Sequence, residues 1–213
     1  MSSQPSTLLI ACGALAREIT TLMDVLELKN VTVQCVPAHY HNTPDLIPDA
    51  VEEKIKAAKG QFDRTLVLYG DCGTGGLLDD ILEREGIERI PGAHCYEFFM
   101  GSTDFQNLFD ATPGSFFLTD YLVKHFDRLV IQTLGLDRYP QLRDSYFQHY
   151  SQLVYLAQTE DEELQAKARQ AAEQLGLSYE YRFTAYGGLE EILSTSNDEE
   201  GAKHGPEDHR LLA

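Results

Sequence analysis

Arg64–Gly86, RTLVLYGDCGTGGLLDDILEREG, is the stretch whose reading decides the fold. RTLVLYG is a continuous apolar run rich in β-formers, so Arg64 to Gly70 is predicted to be a buried strand. A glycine-rich turn follows, and GGLLDDILEREG then supplies a helix. An apolar strand that passes through a loop into a helix is the repeating unit of a parallel α/β sheet.

The same unit recurs on both sides of this stretch. TLLIAC (Thr7 to Cys12) reads as a buried strand, followed by a helix from about Ala14 to Leu28. VTVQCVP (Val31 to Pro37) alternates and is β-branched, and DAVEEKIKAAKG is a helix that stops at Gly60. IERIPG gives a short fourth strand, and HCYEFFMG opens another helical segment. The middle of the chain is aromatic. TPGSFFLTDYLVKHF reads as a turn at Pro113-Gly114 followed by helix, and GLDRYPQLRDSYFQHY as a helix after Pro140. QLVYLAQ, DEELQAKARQAAEQLG and YEYRFTAYG then return to strand, helix and strand. The expected architecture is α/β: a Rossmann-like parallel sheet with helices on both faces and a helical insertion over the strand ends. Residues 1–193 form one domain in this reading, with 104–150 as the insertion and 194–213 as a disordered acidic tail holding His204 and His209.

Bulk properties exclude several classes. A hydrophobic fraction of 43% over 213 residues suits a globular domain with a real core. No apolar run approaches the roughly 18 residues of a membrane span, and MSSQPSTLLIACGA lacks a basic signal-peptide region. A cytoplasmic location and no membrane partner are expected. The formal net charge of -17, with scattered Lys and Arg, argues against nucleic acid. Four cysteines in a reducing compartment are thiols or metal ligands before they are disulfides.

Three of them carry the chemistry. Cys12, Cys72 and Cys95 each stand where a predicted strand gives way to a loop or helix. Parallel sheets gather their strand ends along one edge, where ligands bind, so the three thiols are expected to meet. Cysteine is also a common core residue, and mid-strand Cys35 fits that role best. Three thiolates around zinc leave a fourth position open for a substrate thiol or water. An iron-sulfur cluster is the alternative cofactor, and a redox pair of thiols a further reading. His94, beside Cys95, is a candidate ligand or general acid/base, and Glu18, early in the helix after Cys12, a candidate base or supporting partner. Gly73 and Gly75 in DCGTGG let backbone approach a ligand, although neither the dinucleotide nor the Walker pattern is present. His39 and His41 follow the second strand and are expected on the substrate side, while His125 and His149 are packed or exposed. Tyr121, Arg138 and Tyr139 are candidates to close over a bound small molecule.

LLIACGAL, LVLYGDCGTGG, PGAHCYEFFMGS, ATPGSFFLTDYL and GLDRYPQLRDSYFQHY together resemble a bacterial and archaeal domain family without an assigned reaction, over about Leu8 to Leu193. The resemblance associates the chain with corrinoid-dependent methyltransferases and matches Cys12, Cys72 and Cys95 to the family's cysteines. Where the family has a His-Asp-Cys run, this chain has His94-Cys95 directly. It implies a zinc-thiolate enzyme, a methyltransferase, or an accessory factor in one-carbon metabolism, with a small-molecule substrate and a corrinoid protein as partner. The competing expectation is a non-catalytic protein that binds a small ligand or senses redox state in the same cleft.

Overall fold

Strand β1 (Thr7–Cys12) is buried at every position, as a run of six small or aliphatic side chains allows only in the middle of a covered sheet. The computed structural model describes residues 5–90 and 92–195. A 3-10 turn (Gly13–Leu15) leads from β1 into helix α1 (Ala16–Val25), and the chain returns through β2 (Val31–Val36). Helix α2 (Ile47–Ala58) then crosses to β3 (Arg64–Leu68), and α3 (Leu77–Glu85) to the short β4 (Glu88–Arg89). These strands form one parallel sheet in the order β2-β1-β3-β4.

The chain leaves β1 toward one sheet edge and later occupies the other side of it with β3. The topological switch point therefore lies between the carboxyl ends of β1 and β3, the usual ligand position in such sheets. Cys12 is the last residue of β1, and Cys72 lies just beyond β3.

After α4 (Glu97–Met100) and α5 (Ser102–Ala111), the structure departs from the expected insertion. Ser115–Thr119 is not helix but strand β5, and α6 (Asp120–Lys124) follows it directly, capped by the Thr119 hydroxyl, which accepts from the Leu122 amide at 3.4 Å. SFFLT is too short for periodicity to separate a buried strand from a helix turn. Its partner, β6 (Gln152–Ala157), lies well downstream, so pairing settles the matter. A π-helical stretch (Asp127–Gln132) and α7 (Leu142–Phe147) complete the segment. Helix α8 (Glu162–Leu175) is capped by Asp161, which accepts from the amides of Glu163 and Leu164, and it leads to β7 (Ser178–Phe183). The second sheet, β5-β6-β7, is also parallel, so the described residues form two parallel sheets where one was expected.

Helix α9 (Gly188–Thr195) then carries Leu189 and Leu193 back into the core of the first sheet. Ser194 and Thr195, expected in the acidic tail, belong to this helix; the rest of that tail, with His204 and His209, lies outside the described residues. The return passes so close to α4 that a Cβ on Gly187 would lie 1.8 Å from the Phe99 carbonyl oxygen, and the backbone there has φ +46. Only glycine fits. Among the described residues, no helix is long and apolar enough to cross a membrane.

Candidate functional site

The strand ends of the first sheet gather the three cysteines. Cys72 Sγ lies 3.4 Å from Cys95 Sγ, and the Cys12 thiol interacts with Cys95 as well. Two glycines allow this. A Cβ on Gly70 would stand 2.8 Å from the His94 carbonyl carbon and 2.9 Å from the Cys95 amide nitrogen. A Cβ on Gly13 would stand 3.0 Å from the Val36 carbonyl oxygen, so β1 can turn sharply after Cys12. The 92–95 segment is held alongside the end of β3 by the amides of Asp71 and Cys72, which donate to the carbonyls of Gly92 and Ala93.

Asp71 shapes the DCGTGG loop. Its carboxylate accepts from the Thr74 hydroxyl at 2.6 Å and from the amides of Gly73, Gly75 and Gly76 at 3.3, 3.3 and 3.0 Å. The amides that a bound phosphate would need from Gly73 and Gly75 are thus turned onto the chain's own carboxylate. The loop places Cys72 at φ 49, a left-handed conformation that costs a non-glycine residue about 1 kcal/mol or more. An Asp followed by glycines is a turn signal that could have been read from the sequence.

Charge is distributed unevenly among the thiols. Contacts with Cys95, His41 and His94 hold the Cys72 pKa well below the ordinary thiol range, against the opposing effect of burial. Cys12 is lowered by Cys95, the Ala14 backbone and the Tyr69 hydroxyl. Cys95, between the other two sulfurs, is raised well above the usual value. It keeps its proton while its neighbours ionise first. The Cys72 sulfur in turn holds the His41 imidazole pKa up. The buried Tyr69 hydroxyl has no nitrogen or oxygen partner among the described residues and faces the Cys12 sulfur; burial is the first cause of its raised pKa and the Cys12 charge the second.

The other candidates are scattered. His94 contacts Cys72, and its ring lies 6.0 Å from Tyr96 and 6.3 Å from Phe105. His41 meets the thiols, whereas His39 is exposed against Tyr40. Cys35, half-buried in β2, has a pKa raised by burial. Glu18 is only 4% exposed, but it faces Asp120 and Lys124, and its Oε2 has no hydrogen-bond partner among the described residues. Arg138 pairs with Asp137 at 3.8 Å and Tyr139 is exposed, so of the three candidates for closure only Tyr121 lines the cleft described next.

Between the two sheets lies a mostly apolar cavity of about 200 Å³. Cys12, Cys95 and His41 reach its wall from the first sheet; Phe117 and Leu118 of β5, with Val130 of the π-helical stretch, close it from the second. A thiol cluster at the end of an apolar chamber can bind a soft metal ion, form a disulfide, or present a nucleophilic sulfur to a small ligand. Among the described residues, no group of three or more His, Cys, Asp or Glu side chains already stands in the arrangement that holds a metal ion.

No curated protein and no solved structure matches the chain. The family model described as "Protein of unknown function (DUF1638)" matches residues 35–193, a span that includes Cys72 and Cys95 and begins after Cys12. That match covers more than half of the 213 residues, and the chain belongs to the DUF1638 family.

Proposed function

We propose that Cys12, Cys72 and Cys95 hold a thiophilic metal ion, zinc, at the inner end of the cavity, and that the protein serves corrinoid-linked methyl transfer as an enzyme or accessory factor. The observation that carries this reading is the 3.4 Å separation of the Cys72 and Cys95 sulfurs, with Cys12 against the same partner. Tetrahedral zinc with bonds of about 2.3 Å sets its sulfurs about 3.8 Å apart, so the Cys72 and Cys95 sulfurs need open by only a few tenths of an ångström, with Cys12 brought in beside them. The donor set fits the metal by chemistry as well, because thiolate is its preferred soft ligand and Cys72 is already the most acidic of the three.

Held by Cys12, Cys72 and Cys95, zinc would supply a Lewis acid able to keep a substrate thiol ionised. The chain's own residues do the rest. His41 and His94 donate toward Cys72 and steady its charge, Tyr69 faces Cys12, and the apolar walls exclude water from the sulfurs. Methyl transfer itself rests on the family resemblance, and a corrinoid protein is the partner it implies.

Elemental analysis of protein purified without oxygen or chelator tests the reading. About one zinc per chain supports it. Iron with sulfide replaces zinc by a cluster, and protein that neither carries zinc nor takes it up overturns it. A redox-sensing thiol pair is favoured by the same 3.4 Å distance, since two thiols so placed can close to a disulfide. Free thiols that label without chelator and protect one another after mild oxidation would select that second reading.

A further inference from the structure

The apolar cavity has an outer compartment of a different character. A space of about 460 Å³ shares Ala38, Asn42, Tyr121 and Leu129 with the inner cavity, so the two adjoin at those residues. It adds His39 and Arg128, and none of the described residues that line it is acidic. On a chain of formal net charge -17 this concentration of basic groups at the mouth of an apolar chamber is unusual. Arg128 is exposed and has no ion pair among the described residues.

The mouth is held in shape by bonds between the two halves of the chain. Asn42 Nδ2, from the loop after β2, donates to the Leu129 carbonyl at 3.4 Å and to the Thr133 hydroxyl at 3.2 Å. The Thr133 hydroxyl donates to the Arg128 carbonyl at 3.0 Å. Arg128 itself lies in the π-helical stretch, whose wide turn sets it and Leu129 at the rim. Such turns recur at ligand sites because they widen a helix locally.

We propose that the two compartments bind one small amphiphile, with a mainly apolar body in the inner cavity and a single anionic group outward at Arg128 and His39. The far end of that body then lies against Cys12 and Cys95. An inner volume of about 200 Å³ suits a body somewhat larger than benzene, for which about 150 Å³ suffices. Guanidinium recognises carboxylate, sulfonate and phosphate alike through paired N–H donors. The proposal deepens the reading above by naming the ligand class of the same cavity, and it does not need the metal.

The test titrates metal-free protein with hexanoate, 1-hexanol and hexylammonium, which share a body and differ in the head group, using calorimetry. Hexanoate is expected to bind about tenfold more tightly than hexanol, the difference a charge-assisted bond makes, and hexylammonium most weakly. Arg128→Gln removes the advantage of hexanoate over hexanol and leaves hexanol binding as it was. Its melting temperature, close to that of the parent because Arg128 is exposed, shows that the fold is intact. Equal affinity for all three heads, or no binding of any, overturns the proposal. Zinc uptake measured on the same samples separates the two readings: zinc with no head-group preference leaves only the metal reading, and head-group preference without zinc leaves only this one.

Discussion

The backbone of His94 occupies the space that a side chain at Gly70 would need. A Cβ there would lie 2.8 Å from the His94 carbonyl carbon and 2.9 Å from its Cα, both backbone atoms that cannot swing away. This approach brings Cys95 down onto the end of β3, where Cys72 waits 23 positions earlier in the chain. The thiol cluster therefore depends on a residue that carries no chemistry of its own.

Gly70→Ala should consequently separate Cys95 from Cys72 and destabilise the fold by about 1–3 kcal/mol, as overpacking of a tight site does. The loss is read from thermal melting. Its functional part is read from mild oxidation, which should no longer join Cys72 to Cys95 in a folded sample. A variant that melts like the parent and still forms that bridge refutes the role given to Gly70.

Serine at Cys12, Cys72 or Cys95 should leave less than about a tenth of the parent's bound zinc, since two thiolates and a hydroxyl make a poor site. Cys35→Ser should keep all of it, because Cys35 lies in β2 and feels the cluster only through the charge of Cys12. Inductively coupled plasma measurements on the four proteins check this. Equal metal in all four would show that the thiols do not hold it.

In metal-free protein, a small thiol reagent should reach Cys72 first as pH is raised from 5, well below the ordinary thiol value of about 8.5. The lowered Cys72 and the raised Cys95 set this order, with Cys95 last and still slow above that value. Stability follows with opposite signs. The Cys72 contribution is complete above the ordinary thiol pKa and is lost as pH falls through its depressed folded value. The Cys95 contribution is complete below the ordinary value and is lost as pH rises toward its raised one. Mass spectrometry of each cysteine against pH reads the order, and four parallel curves would contradict it.

Asp71→Ala should loosen the DCGTGG loop, since one carboxylate holds the Thr74 hydroxyl and three glycine amides. A loss of about 1–3 kcal/mol is expected from the buried part of that network. Cys72 should then leave its strained φ 49 conformation and label at the rate of an ordinary thiol. Calorimetry with the same labelling assay tests both halves. Asp71→Asn, which keeps an acceptor, should fall between the two.

Glu18 is buried without a partner for Oε2 among the described residues, and burial, with Asp120 nearby, raises its pKa. The folded protein thus favours its protonated form. That contribution is complete below the ordinary carboxylate value and lost as pH rises through the folded one. Glu18→Gln should therefore change little at pH 4 and stabilise the protein at pH 7.5 by about 1 kcal/mol. A variant less stable than the parent at pH 7.5 would mean that the charge is satisfied by an unseen partner.

The strand-helix alternation of the first sheet was legible because each apolar run and each helix stop lies within a few neighbouring residues. The positions of Cys12, Cys72 and Cys95 were legible for a related reason: parallel topology sends every strand end to the same edge. Local pattern could not separate strand from helix in SFFLT, where Phe117 and Leu118 are buried either way and only pairing with Val154 and Tyr155 decides. Glu18 shows the same limit, since its helix was evident in the sequence and the face it presents to Asp120 was not.

The sequence by itself therefore determined a parallel α/β chain with thiols at its strand ends and a formal net charge of -17. Tertiary structure alone decided that the described residues form two sheets and that a cavity lies between them. It also decided that His41 meets Cys72, while Asn42 joins Leu129 and Thr133 across the cavity mouth. The physical reason is distance along the chain. Periodicity and turn chemistry act over a few residues, whereas these contacts join segments tens of positions apart, and only the packing of the completed core selects which of them meet.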